Sequence, residues 1–172
     1  MVAAAAVMVC GASPALAQDA SRVGLVFGKG SQVGVHIPVG DNIAIRPAVA
    51  WIKTSIEYEG SMFVATEASN RTLVPSVDLL FYLKAWDNTR VYLSPQYLYT
   101  RSTRTTDGED ETNDSHTFRA MIGVQQAVGS RFAVFGEAGL EHDRWSSEGL
   151  SLSSTTNRAW STRTTFGGMF MF

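Results

Sequence analysis

Three arginines and three carboxylates fall where neighbouring residues alternate in character, and each takes the small, polar side: Arg46, Arg119 and Arg163 against Asp78, Glu137 and Glu141. Buried unpaired charge costs on the order of several kcal/mol, so equal numbers of acids and bases on such faces point to mutual neutralisation, not proton transfer. Glu141-His142-Asp143 with Ser146 contains the residue types of a hydrolase. On a strand, however, successive side chains point to opposite faces, so Glu141 and His142 do not converge.

Metal and phosphate chemistry find little support. His36, His116 and His142 lack a paired spacing such as H-E-x-x-H, and are expected to be solvated or lumen-facing. Asp107, Glu109, Asp110, Glu111 and Asp114 surround Gly108 in an order that departs from an EF-hand, so a solvated acidic loop is expected rather than a cation site. Gly28, Gly30 and Gly34 precede no helix that could present its N-terminus to a phosphate, and are read as turn and close-packing glycines. The single cysteine, Cys10, lies in an apolar N-terminal segment. No catalytic residue, metal ligand or cofactor site is therefore expected.

That N-terminal segment, residues 1–17, runs through Ala, Val and Met to Pro14 and then Ala15-Leu16-Ala17, a cleavage-site pattern. It reads as a signal peptide with Gln18 as the mature N-terminus, although no Lys or Arg precedes the apolar run. Val9 before Cys10 disfavours a lipoprotein signal. Residues 18–172 read as one domain. With 14 basic and 16 acidic residues and a net charge of −2, the chain has no basic cluster that suggests nucleic acid.

The mature chain alternates with a period near two and contains no apolar run of the roughly 18 residues needed by a spanning helix. Reading back from Phe172, Trp160, Phe166, Phe170 and Phe172 share one face, while Arg163, Thr165 and Gly167 share the other. Comparable strands are predicted over 131–144, 116–128, 89–104, 72–83 and 43–53. Residues 22–28 and 32–39 form either a hairpin about Gly28-Lys29-Gly30-Ser31 or one long bulged strand. The hairpin gives eight strands, the even number usual for single-chain bacterial outer-membrane barrels. Short connections at 39–42, 85–88 and 129–130 alternate with expected long polar loops at 57–70, 107–115 and 146–156. Pro95 is awkward in its strand, because proline cannot donate to a ladder.

Alternation alone would equally suit a soluble sandwich or a lipocalin-like barrel. The polar faces tip the balance, since they gather charge and small residues while the opposite faces gather aliphatics. An eight-stranded barrel is just wide enough for side chains to fill, so the charged set is expected to form a lumen network. Aromatics near strand ends, Trp51, Phe81, Tyr82, Trp86, Tyr97, Tyr99, Phe132, Trp160, Phe170 and Phe172, are candidates for interfacial girdles.

Thr165, Gly167, Phe170 and Phe172 form a polar, glycine and spaced-hydrophobic pattern at the end of the sequence. This resembles the C-terminal β-signal of bacterial outer-membrane barrels, and the mature chain resembles the small OmpA-type and OmpX-type barrels. The resemblance implies an all-β, eight-stranded antiparallel up-and-down barrel in the outer membrane of a Gram-negative cell. Implied partners are the barrel-assembly machinery, outer-membrane lipid and lipopolysaccharide, with further ligands met at the cell surface. The leading expectation is a non-enzymatic protein serving envelope integrity and surface contact or adhesion through long loops. A small-solute, porin-like channel and a lipid A deacylase-like enzyme remain the alternatives.

Overall fold

The computed structural model describes residues 22–28, 32–57, 67–106, 109–148 and 154–172. The expected signal peptide at 1–17 lies outside them. Eight strands follow in order: β1 (Gly24–Gly28), β2 (Gln32–Pro38), β3 (Ile43–Glu57), β4 (Glu67–Trp86), β5 (Thr89–Thr106), β6 (Glu109–Ala127), β7 (Phe132–Glu148) and β8 (Ser154–Met171). Each pairs antiparallel with its neighbours, and β1 pairs with β8 to close the barrel. The hairpin reading of the first two strands therefore holds, with Gly28 opposite Gln32. Residues 29–31 of the expected turn lie outside the described residues.

Closure needs a stagger as well as a curve. From Ala48 the ladder leads through Ser76, Leu98, Thr117 and Asp143 to Ala159. In the other direction it leads through Gly34 and Val26 to Met169, a displacement of ten residues that sets the strands oblique to the barrel axis. Near the short-turn end the register slips between Tyr82 and Lys84, a bulge that leaves Leu83 unpaired. Asp87 takes a positive φ of 33° in the two-residue turn between Trp86 and Thr89. Pro95 stays within β5 opposite Ala120.

The expected long loops are corrected. Strand pairing continues from Ile52 opposite Thr72 out to Glu57 opposite Glu67, and from Arg101 opposite Asp114 out to Thr106 opposite Glu109. It likewise reaches Glu148 opposite Ser154. The acidic stretch 109–115 is thus strand, not loop. Its Thr, Ser and charged residues alternate without an apolar face, yet each rung satisfies its backbone groups across the ladder.

Burial is inverted relative to a soluble barrel. Phe166 is 83% exposed on the outside, while Arg46 and Glu137 are each 4% exposed within. The wall positions in between obey the same rule: Val77, Leu79, Leu93, Ile122, Val134 and Leu140 face out. The interior near the short turns holds two apolar clusters, Val26, Ala133, Phe135, Met169 and Met171 in one and Ala44, Leu80 and Tyr92 in the other. Gly123 lies directly opposite Tyr92, and a Cβ there would come 2.3 Å from the ring, so the absence of a side chain lets the tyrosine lie across the lumen.

Candidate functional site: the cross-braced lumen

Arg46 occupies the inward parity of β3, with Asp78 as its direct partner on β4. Its Nε donates to Asp78 Oδ2 at 2.8 Å. Its Nη2 donates to Glu137 Oε1 on β7, four strands away and therefore on the opposite wall. The ion pair spans the bore.

Glu137 is fastened from several further directions. Tyr92 Oη donates to Oε1 at 2.9 Å, Gln96 Nε2 to Oε2 at 3.1 Å, and Thr165 Oγ1 to Oε2 at 3.0 Å. Gln96 also donates to Ser94 Oγ at 3.2 Å. The Arg46 guanidinium lies 4.7 Å from the centre of the Phe135 ring, which closes off its far side. Strands β3, β4, β5, β7 and β8 are thus tied through one buried cluster. A small cavity of about 10 Å³ beside it is lined in part by Gly34, Arg46, Asp78 and Phe135, room for about one water molecule.

A second cluster lies farther from the short turns. Arg119 pairs with Glu141, its direct cross-strand partner, and Ser161 Oγ donates to Glu141 Oε1 at 3.3 Å. Thr117 donates to Asp143 at 2.5 Å nearby. Toward the short turns, Tyr82 Oη donates to Gln125 Oε1 at 3.1 Å, and its ring contacts His36, Tyr92 and the Arg90 guanidinium.

The six expected network residues therefore divide. Arg46, Asp78 and Glu137 meet, as do Arg119 and Glu141. Arg163 keeps the inward parity between Ser161 and Thr165, but is exposed and joins no ion pair among the described residues. Its rung places it opposite Gly139, one step short of either acid. Sequence reasoning missed Arg90; Tyr92 and Ser94 share the inward parity of Gln96 and are buried, but were not singled out. The size complementarity of Tyr92 with Gly123 was the available signal, but it needs the register to be seen. Tyr82, which shares the polar face of Asp78 and was also a girdle candidate, lies in the lumen and not in a girdle.

The C-terminal residues have structural tasks of their own. Thr165 braces Glu137, and a Cβ on Gly167 would lie 2.6 Å from the Phe135 ring. Phe170 and Phe172 meet edge to face at 5.6 Å on the outside, and the Phe172 N–H donates to the Val23 carbonyl at 3.0 Å. His142 faces out and packs on Trp160 at 4.5 Å between ring centres, whereas Glu141 faces in. These two do not converge, and the Ser146 side chain lies outside the described ones. Among the described residues no group of His, Cys, Asp and Glu could hold a metal ion.

An apolar exterior around a polar, internally bonded interior is the pattern of a barrel that crosses a bilayer with strands. The class is an eight-stranded transmembrane-type β-barrel. No protein-family model and no curated protein matches the sequence. Solved structures similar to it include a major outer membrane protein from Thermus thermophilus, at 13% identity and a TM-score of 0.43, covering 88% of this chain and 97% of that one. Acinetobacter baumannii CarO matches at 11% identity and 0.44 over the same shares. The attachment invasion locus protein Ail of Yersinia pestis matches at 11% and 0.42, covering 88% and 95%. At this level of identity no residue acquires a role from them.

Proposed function

We propose that the protein is a non-enzymatic barrel of the bacterial outer membrane, bracing the envelope and carrying a strand-built wall to the cell surface for contact or adhesion. The observation that carries this reading is the Arg46–Glu137 pair, which joins opposite walls and occupies the bore that a channel would need open. A strand crosses a bilayer in about 9–11 residues, while β4 to β8 contain 17 to 20 each. The surplus, all at the end away from the short turns, is suited to surface contact. The opposite facing of Glu141 and His142 weighs against the lipid-modifying alternative. The C-terminal Thr165, Gly167, Phe170 and Phe172 are proposed as the feature that the barrel-assembly machinery engages.

The test is conductance of the purified, refolded protein in planar bilayers. The expected result is a closed barrel, shown by boiling-dependent gel mobility, with no reproducible unitary conductance. A stable conductance step from wild-type protein would favour the porin-like alternative and sink the proposal.

A further inference from the structure

Just beyond the apolar belt, the outward side chains turn basic. Lys53 on β3 faces Arg71 on β4 directly, and Arg101 on β5 lies on the diagonal from Arg71, opposite Leu73. On the far side of the wall, Arg144 faces Arg158 across β7 and β8. All five are exposed. Like charges directly opposite one another on a ladder repel and are destabilising, so the fold bears a cost at two places on this collar.

The acids described on the same face, Asp110 and Asp114 on β6, lie on neither like-charged rung. Asp114 lies opposite Arg101, and Asp110 accepts from Thr105 Oγ1 at 2.6 Å. Among the described residues none of the five forms an ion pair, whereas the lumen arginines Arg46 and Arg119 do.

One of these two places has a described groove beside it. Around Arg71 and Arg101 the wall forms an open groove of about 250 Å³, completed by Trp51, Thr72, Leu73 and Thr103. Trp51 is 73% exposed, standing where belt meets collar. Two guanidinium groups beside an indole and a leucine match a molecule with an anionic head and an apolar body. Arginine favours phosphate, which it can grip through two parallel N–H groups. The level is that of lipid headgroups, because exposed Trp and basic side chains mark the membrane interface.

We infer that this groove is a binding site for a phosphate-bearing lipid of the outer leaflet, with Arg71, Arg101 and Lys53 holding the phosphate and Trp51 and Leu73 covering the adjoining apolar part. The inference rests on the outer-membrane reading and adds to it a particular site. Bound phosphate also relieves the Lys53–Arg71 repulsion, so lipid binding and barrel stability are coupled.

The experiment uses the mature protein in phosphatidylcholine nanodiscs with and without bisphosphorylated lipid A, reading lipid retention by native mass spectrometry after release from the disc. Wild type is expected to retain lipid A and to unfold at a higher temperature in its presence. Arg71→Ala with Arg101→Ala should lose about tenfold or more of that retention, taking each cation as a contribution near an anionic surface. Arg144→Ala with Arg158→Ala, on β7 and β8 away from this groove, should change it far less. Both pairs are exposed, and the boiling-dependent gel shift verifies that each variant has folded. Equal losses from the two pairs, equal retention of dephosphorylated lipid A, or displacement by millimolar inorganic phosphate alone would each overturn the site. Failure of wild type to insert into phosphatidylcholine discs would overturn the membrane reading together with it, whereas insertion without retention of lipid A overturns this inference alone.

Discussion

From Phe172 back to Trp160, the chain sets Trp160, Phe166, Phe170 and Phe172 outward and inward residues such as Ser161 and Thr165 against the β7 carboxylates; from Ala159 back to Ser154 it carries Asn, Arg, Thr and Ser, and only the rungs to β7 continue. The other strands beyond the belt change in the same way. Near the short turns the barrel is held three times over, by its ladder, by the lumen network and by the lipid-facing surface. Beyond the belt it is held chiefly by the ladder. One chain can thus place an over-determined section beside one with few side-chain requirements, because the backbone pairing is common to both.

Breaking the first section should have the largest effect. Arg46→Ala leaves Asp78 and Glu137 facing each other's charge without a base, and a loss of about 3–5 kcal/mol is expected, read from urea unfolding of the protein in lipid vesicles. Replacing Arg46, Asp78 and Glu137 together by Met, Leu and Leu should recover much of that loss. If Arg46→Ala costs nothing, the brace is not what holds the lower barrel. A middle effect is expected at the closing seam. Deleting Phe172 removes its N–H bond to Val23 and its contact with Phe170, and the assembled, heat-modifiable fraction in cells should fall several-fold, while unchanged assembly would remove the terminal pattern from consideration as a signal. The smallest effect belongs to the outer wall. Thr105→Ala, which deletes an exposed hydroxyl bond to Asp110, should change unfolding by less than about 0.5 kcal/mol, and a larger change would mean that the outer wall also depends on its side chains.

The same division decides which parts of the molecule are legible in the sequence. Strands within the belt can be read because Val, Leu, Ile and Phe mark alternate positions, as in 72–83 and 131–144. The continuations 105–106 and 109–115 have the look of loop, since alternation between Thr and Arg or between Asp and Ser leaves no hydrophobic trace. Arg46–Asp78 and Arg119–Glu141 are within reach of parity because each pair is also a direct cross-strand pair. Arg46–Glu137 crosses the bore, and only closure brings its members together. Arg163 shares their parity yet lies on a rung where the facing residue is glycine, a distinction that depends on a register no periodicity reveals.

The unequal lengths of the strands bear on the order of events as the chain folds. β5 and β6 meet along eighteen rungs and are neighbours in sequence, whereas β1 meets β8 along five, Gly24 with Met171 through Gly28 with Gly167, with nearly the whole described chain between them. A contact between distant residues must overcome a larger loss of chain entropy before any rung rewards it. The long hairpins can therefore zip early and grow into a curved sheet, while the shortest seam waits until both of its edges exist, which places the joining of the two ends of the chain late in building the cylinder.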